Sequence, residues 1–314
     1  MKVRLKNIVR SGLLLKPRLP VTDHEKTTYA SPEEAAHIYL LPNLFTAGNM
    51  LCGFLSMKEC IEARFVDPSA AASIRAEHYT MAVWFIVFGC ICDLFDGRVA
   101  RASGRTSLFG AEFDSLADII SFGLAPALMS CFLLIQPDQN KDLSLATWLF
   151  AFLYLLCAGV RLARFNVLTN PLVPGNEARA KGGDFVGLPS PAAAGTIASI
   201  VLVHANFMGN PEDTSTQWIA RSGALYWSLL PLLLFLSWLM VSNIRFPSFK
   251  VISWSARART RIFILIIAVA VAAFRFKELF VPMIFVSYIS YGIFRHFFLL
   301  KKAETDPAPD DESL

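Results

Sequence analysis

Charged side chains are scarce in this sequence of 314 residues. Asp, Glu, Lys and Arg together make up 17% of it, whereas hydrophobic residues make up 54% and the mean hydropathy is +0.48. This balance excludes an ordinary soluble domain and is typical of a polytopic membrane protein. The sequence also lacks an internal repeat and any polar stretch that would form a separate soluble domain. We therefore predict an all-α fold, a bundle of helices that lies in a membrane.

Cysteine and histidine show no pattern that would indicate a metal site or a disulfide framework. The six cysteines lie in or near apolar runs without a CxxC spacing, and the five histidines are scattered. We predict that the cysteines are small packing residues, and we assign the histidines no role. The net charge of +4 is small, and no nucleic-acid partner is predicted.

Eight apolar runs are candidates for membrane spans, each of which needs roughly 20 residues. With ends uncertain by several residues, they are 40–62, 78–100, 113–135, 145–167, 188–207, 225–245, 261–276 and 279–300. The seventh run is short and is the weakest candidate. The sequence therefore predicts about eight transmembrane helices.

The distribution of Lys and Arg predicts that both ends of the chain lie in the cytoplasm. With the N-terminus inside, 22 of the 29 basic residues fall in cytoplasmic segments, as the positive-inside rule requires. Residues 1–37 form a basic cytoplasmic segment, either an interfacial helix or a disordered tail. Residues 38–300 form the membrane domain, and the acidic residues 301–314 are predicted to be disordered.

Four aspartates interrupt the ends of the second and third runs: Asp93, Asp96, Asp114 and Asp118. A charge at the centre of a spanning helix costs about 2.5–3.5 kcal/mol, so such residues indicate a functional site. The spacings i, i+3 and i, i+4 place each pair on one helix face, and a turn around Gly104 would bring the two faces together. Oxygen ligands of this kind suit Mg²⁺ or Mn²⁺, and two such ions would clamp a diphosphate.

Glycines and arginines lie beside these aspartates. Gly97 and Gly110 leave room for a bulky ligand against the backbone. Arg101 and Arg105 supply positive charge for a phosphate group. The pattern therefore favours a site for a metal-bound diphosphate over a set of helix caps and interfacial anchors.

The stretch DLFDGRVARASGRTSLFGAEFDSLAD (93–118) resembles the signature of the CDP-alcohol phosphotransferase family, and every fixed position of that signature is present. Four further stretches resemble the phosphatidylserine synthase branch of that family from bacteria and archaea. They are LPNLFTAGNMLCGFLSM (41–57), SFGLAPA (121–127), RLARFNV (161–167) and GLPSPAAAG (187–195). The similarity extends over about residues 40 to 200.

The resemblance implies an activity and a role for each signature residue. The reaction would be transfer of the phosphatidyl group from CDP-diacylglycerol to L-serine, which gives phosphatidylserine and CMP. Asp118 would be the catalytic base, and the metal ligands would be Asp93, Asp96, Asp114 and Asp118. The cytidine diphosphate would contact Asn43, Thr46, Gly97, Ala100, Arg101 and Gly110. The family also implies a homodimer in the plasma membrane, and the predicted topology puts the active site on its cytoplasmic face.

The acceptor pocket is less well defined by the sequence. The carboxylate of serine needs a cation, and Arg161, Arg164 and Lys181 lie on the predicted cytoplasmic side. Each of them serves equally well as an interfacial anchor. The signature is compatible with another acceptor, such as glycerol 3-phosphate, inositol phosphate or a different alcohol. A prenyltransferase is disfavoured because no second aspartate-rich helix follows, and a cation transporter because the four acids do not lie at mid-membrane.

Overall fold

A computed structural model describes residues 40–67, 72–103, 108–135, 141–169, 185–209, 224–247 and 277–305. Within these ranges the chain is almost wholly helical, which confirms the predicted fold class. The helices are α1 (Leu40–Phe65), α2 (Ala72–Ser103), α3 (Leu108–Asp118), α4 (Ala125–Leu134), α5 (Lys141–Thr169), α6 (Ser190–Gly209), α7 (Ala224–Val241) and α8 (Lys277–Thr305). Two short strands, β1 (Phe185–Val186) and β2 (Arg245–Phe246), pair in antiparallel orientation.

Four segments of the described chain are long and apolar enough to cross a membrane: Leu40–Phe65, Ala72–Val99, Leu108–Leu134 and Leu143–Leu168. They correspond to the first four predicted spans. Helices α6, α7 and α8 form where the fifth, sixth and eighth runs were predicted, and run 261–276 lies outside the described residues. Apolar runs become helical in lipid because a helix satisfies its backbone N–H and C=O groups within one segment.

The surface of the bundle is apolar, and polar side chains lie inside it. Phe54 and Trp84 are both more than half exposed, whereas Asn49, Asp96 and Arg161 are buried. Intramembrane charges are expensive in lipid, so they face the interior of a bundle and mark its functional site. These buried polar groups therefore mark the candidate functional site of the bundle.

Helix α1 lies close to the segment that follows α3. A Cβ on Gly53 would lie 2.5 Å from the Oγ of Ser121 and 2.8 Å from its Cα. Because these distances are shorter than non-bonded atoms allow, only glycine permits this approach. The Ser121 hydroxyl donates a hydrogen bond to the backbone carbonyl of Asn49 at 2.8 Å, which fixes the contact.

The substitution Gly53→Ala is expected to lower the free energy of unfolding by about 1–3 kcal/mol, because overpacking of a tight contact forces the backbone apart. Thermal unfolding in detergent measures the effect. Gly159→Ala is the matched control, since a Cβ there would meet Ile119 Cδ1 at an ordinary 3.6 Å. Equal melting temperatures for the two variants would contradict the packing argument.

The third predicted span is not one continuous α-helix. Helix α3 ends at Asp118, a π-helical turn covers Ile119–Leu124, and α4 begins at Ala125. In this turn the N–H of Ala125 bonds to the carbonyl of Ile120, five residues back instead of four. Single π turns within helices are frequent at functional sites, and this one directly follows an aspartate of the signature.

The strand pair connects the start of α6 with the end of α7. The N–H of Gly187 bonds to the Ile244 carbonyl at 2.9 Å, and the N–H of Leu188 bonds to the Leu239 carbonyl at 3.1 Å. Gly187 has a φ of 81°, and a Cβ there would collide with the Met240 carbonyl, so the position requires glycine. This junction holds the GLPSP stretch beside the end of α7.

The last helix packs against the same region. The ring of Phe285 on α8 fills the space that a Cβ on Gly195 of α6 would need. The Tyr288 hydroxyl donates to the Pro247 carbonyl at 3.3 Å, just after β2. Helix α8 therefore belongs to the same bundle as the signature helices.

Candidate active site

Four aspartates lie in the C-terminal parts of α2 and α3. One carboxylate oxygen from each of Asp93, Asp114 and Asp118 lies within 4.8 Å of the other two. The carboxyl group of Asp96 interacts electrostatically with those of Asp93 and Asp114. The structure thus brings together all four aspartates that the sequence pattern predicted to converge, and we call them the carboxylate cluster.

The carboxylate cluster is suited to divalent cations. Two unit negative charges 4.8 Å apart repel each other by about 3.5 kcal/mol at an effective dielectric constant of about 20. The Oδ1 atom of Asp114 is buried and has no hydrogen-bond partner among the described residues, so an acceptor is left for a ligand. Carboxylate oxygens are the ligands that Mg²⁺ and Mn²⁺ prefer. The donor set therefore fits the cations that the sequence predicted.

Helix α1 supplies donors to two members of the cluster. The Thr46 hydroxyl donates to Asp96 Oδ2 at 3.0 Å, and the Asn49 Nδ2 donates to Asp118 Oδ1 at 3.2 Å. The Nδ2 of Asn43, one helical turn before Thr46, is buried without a hydrogen-bond partner in the described chain. The predicted pair Asn43 and Thr46 therefore lies on the α1 face that meets the cluster.

Sequence reasoning missed Asn49. It is fully buried, and its side-chain amide donates a hydrogen bond to Asp118. The signal that would have found it is its spacing, three residues after Thr46 and six after Asn43, which continues one helix face. A polar residue on that face of an otherwise apolar span needs a partner, and the cluster supplies one.

The other residues predicted to bind the cytidine diphosphate lie beside the cluster in the chain. Gly97 follows Asp96 directly in α2, Gly110 lies in the first turn of α3, and both are partly buried. Ala100 and Arg101 belong to the last turn of α2, and their side chains lie outside the part that the structure describes. Gly97 and Gly110 therefore lie near the end of α2 and the start of α3, on either side of the connection between the two helices.

Arg161 is a buried cation that faces the carboxylate cluster. Its guanidinium interacts electrostatically with Asp118 and Asp93, and its Nη1 donates to the Ser190 hydroxyl at 2.8 Å. The guanidinium also lies over the ring of Phe165, 5.7 Å from its centroid. Its Nε is buried without a hydrogen-bond partner among the described residues. Arg161 therefore retains a donor for an anionic ligand, and Ser190 joins the GLPSP stretch to this position.

Arg164, one turn further along α5, has different surroundings. Its Nη2 donates to Asn243 Oδ1 at 2.6 Å and its Nη1 to the Val241 carbonyl at 3.3 Å. These hydrogen bonds join Arg164 to the end of α7. Lys181 lies outside the described residues. The Nδ2 of Asn166 donates to the Ser115 hydroxyl at 2.8 Å, which ties the RLARFN stretch to α3.

A second group of ionisable side chains lies elsewhere on α1 and α2. His78 Nδ1 is 2.7 Å from Glu59 Oε2, and Lys58 Nζ lies 2.8 Å from Glu62 Oε2. Glu59 is ten residues beyond Asn49, roughly 15 Å along α1. Lys58 supplies positive charge beside these glutamates, and the His78 ring is in hydrogen-bonding contact with Glu59, so the group forms a local polar network between α1 and α2.

Comparisons with known proteins agree with this geometry. Residues 39–240 match the family described as CDP-alcohol phosphatidyltransferase. The chain is 33% identical over 268 residues to the CDP-diacylglycerol–serine O-phosphatidyltransferase of Helicobacter pylori (strain ATCC 700392 / 26695), an alignment that covers 84% of this chain and 94% of the relative.

Two other organisms have similar proteins of the same name. The Bacillus subtilis (strain 168) protein is 30% identical over 210 residues, 67% of this chain and 91% of the relative. The Saccharomyces cerevisiae (strain ATCC 204508 / S288c) protein is 35% identical over 175 residues, 54% of this chain and 56% of the relative. The family match spans the whole carboxylate cluster, Asn49 and Arg161.

Proposed function

Because this chain belongs to the CDP-alcohol phosphatidyltransferase family, we propose that it transfers the phosphatidyl group from CDP-diacylglycerol to L-serine and releases CMP. The observation that carries the proposal is the meeting of the four signature aspartates with one buried arginine. The relatives named CDP-diacylglycerol–serine O-phosphatidyltransferase support serine as the acceptor.

The carboxylate cluster is the proposed site of two divalent cations, Mg²⁺ or Mn²⁺, held by Asp93, Asp96, Asp114 and Asp118. Bound cations would offset the mutual repulsion of the carboxylates and make the diphosphate a better electrophile. Asn49 and Thr46 would hold the ligand oxygens in orientation through their hydrogen bonds, as partners of metal ligands commonly do.

Asp118 is the proposed catalytic base. A serine hydroxyl is a weak nucleophile near neutral pH and needs a positioned group that accepts its proton. In the proposed step the serine oxygen attacks the β-phosphorus, the bond to the CMP oxygen breaks, and the hydroxyl proton passes to Asp118. In-line displacement of this kind depends mainly on positioning and charge stabilisation. The hydrogen bond from Asn49 leaves Asp118 Oδ2 for that proton.

The proposed cytidine diphosphate site extends from the cluster along α1, α2 and α3. Its members would be Asn43, Thr46, Gly97, Ala100, Arg101 and Gly110. The buried, unpartnered Nδ2 of Asn43 supports a donor role toward the ligand. The glycines supply backbone that a nucleotide can approach closely.

Arg161 is the first candidate for binding the serine carboxylate. It is buried, it interacts electrostatically with Asp118, its Nε is unpartnered, and among the described residues no carboxylate forms a salt bridge with it. A guanidinium binds a carboxylate strongly because it donates two parallel hydrogen bonds. Arg164 and Lys181 remain candidates, although the α7 contacts of Arg164 favour an anchoring role.

The proposed membrane arrangement has eight spans, both termini in the cytoplasm and the active site on the cytoplasmic face of the plasma membrane. Its support is the four long apolar helices and the distribution of Lys and Arg along the chain. The proposed catalytic domain runs from 38 to 300, with the basic segment 1–37 and the acidic tail 301–314 outside it. A homodimer is proposed on the family resemblance alone.

The test is release of CMP from CDP-diacylglycerol by the purified protein with Mn²⁺. L-Serine, glycerol 3-phosphate and inositol phosphate are supplied in parallel reactions, and we expect serine to support the fastest release. If only another alcohol supports release, the acceptor assignment is wrong while the family chemistry stands. If no alcohol supports release by folded protein, the proposed function fails.

A further inference from the structure

The π turn that follows Asp118 is held by a tyrosine from another helix. Tyr154 on α5 is fully buried, and its hydroxyl donates to the backbone carbonyl of Phe122 at 3.0 Å. In a regular α-helix this carbonyl would accept a hydrogen bond from the N–H of residue 126. Residue 126 is proline and has no N–H. The tyrosine hydroxyl therefore supplies the donor that the local sequence lacks.

The same turn is also tied to α1. The Ser121 hydroxyl donates to the Asn49 carbonyl at 2.8 Å, and the side chain of Asn49 donates to Asp118. Ser121 and Phe122 are both fully buried. The π turn, which directly follows Asp118, is thus hydrogen-bonded to α1 through Ser121 and to α5 through the Phe122 carbonyl.

The position of Asp118 depends on this turn keeping its geometry. A π turn contains an extra residue compared with an α-helical turn. Conversion to α-helical hydrogen bonding would shift the register by one residue and rotate α3 by about 100° relative to α4. The carboxylates of Asp114 and Asp118 would then move away from that of Asp93, next to which they now lie in the carboxylate cluster.

We propose that Tyr154 is a positioning residue: through its hydrogen bond to Phe122 it maintains the π turn and so keeps Asp118 in the carboxylate cluster. The inference rests on the proposed function for its catalytic consequence, but it concerns the geometry of the cluster itself. Metal binding therefore tests it separately from turnover.

The experiment compares Tyr154→Phe with Thr147→Val. Thr147 also lies on α5, is fully buried, and donates its hydroxyl to the Leu143 carbonyl within its own helix. Each variant loses one buried hydroxyl, but only Tyr154→Phe affects the π turn. The readouts are kcat and KM for both substrates, the melting temperature, and Mn²⁺ binding followed by the paramagnetic resonance signal of the free ion.

For Tyr154→Phe we expect kcat to fall about ten- to a hundredfold and KM to change by less than about twofold, because a misplaced base slows the chemical step. The dissociation constant of Mn²⁺ is expected to rise about tenfold, as when a partner of a metal ligand is lost. Thr147→Val should match the wild type in kcat, in KM and in the dissociation constant of Mn²⁺. If Tyr154→Phe lowers only the melting temperature and preserves kcat and Mn²⁺ binding, the proposal is overturned.

If Tyr154→Phe folds poorly, the double variant Tyr154→Phe/Pro126→Ala tests whether Tyr154 positions Asp118 or only stabilises the fold. Alanine at 126 supplies a backbone N–H that can reach the Phe122 carbonyl in α-helical geometry. We expect the melting temperature to recover while kcat and Mn²⁺ binding do not. Full recovery of kcat and Mn²⁺ binding would overturn the proposal, because the Tyr154 hydroxyl would then only satisfy the Phe122 carbonyl and would not position Asp118.

If the wild type is inactive with every acceptor, the proposed function fails, and Mn²⁺ binding still tests the role of Tyr154.

Discussion

Replacement of Asp118 by asparagine is expected to lower kcat for serine at least about a thousandfold. Removal of a general base typically costs 10²- to 10⁴-fold, and Asp118 is also a proposed metal ligand. Asparagine keeps the size of the side chain but cannot accept the serine proton, and it disturbs the hydrogen bond from Asn49. The measurement is steady-state transfer of labelled serine to lipid at saturating Mn²⁺.

Glu112→Gln is the matched control for this variant. Glu112 is an exposed carboxylate on the same helix, and the same chemical change there should leave kcat within about twofold of the wild type. An Asp118→Asn protein that is folded and retains a tenth or more of the wild-type kcat would contradict the assignment of Asp118 as the base.

Replacement of Arg161 by methionine is expected to raise the KM for serine at least about 30-fold. Loss of one partner of a buried charged hydrogen bond costs about 2 kcal/mol or more, and each 1.4 kcal/mol is tenfold. Ethanolamine provides the second readout because it has the hydroxyl and ammonium of serine but no carboxylate. The preference of the wild type for serine over ethanolamine should largely disappear in Arg161→Met.

Two further arginine variants make this result interpretable. Arg64→Met changes an exposed arginine near the far end of α1 and should leave the KM for serine unchanged. Arg164→Met separates the two acceptor candidates that the structure describes, since Arg164 is bonded to the end of α7. A rise of the serine KM in Arg164→Met without one in Arg161→Met would reverse our assignment.

The sequence predicted the convergence of the four aspartates because local geometry sufficed for it. Residues three or four apart share a helix face, and only a few residues separate the end of α2 from the start of α3. The positions of the helices that the structure describes were also predicted, since long apolar runs have few alternatives to helical structure in a membrane. Asn43 and Thr46, by contrast, were named only through the family resemblance.

Features that depend on contacts distant in sequence were not predicted. In the π turn the Phe122 carbonyl accepts a hydrogen bond from the Tyr154 hydroxyl, which lies 32 residues further along the chain. The bond between Arg164 and Asn243 joins residues 79 apart, and the β1–β2 pair joins two loops. Pro126 was a visible local signal, because a proline removes one backbone donor within an apolar run. No property of that run indicates which side chain replaces the donor.

The most direct test of the account follows labelled L-serine and CMP in one reaction with purified, EDTA-treated protein and CDP-diacylglycerol. We predict no product until Mn²⁺ or Mg²⁺ is restored, and then one labelled phosphatidylserine for each CMP released. Transfer to serine at full rate in the presence of EDTA would contradict a metal-dependent carboxylate cluster. Metal-dependent CMP release without labelled lipid would contradict serine as the acceptor.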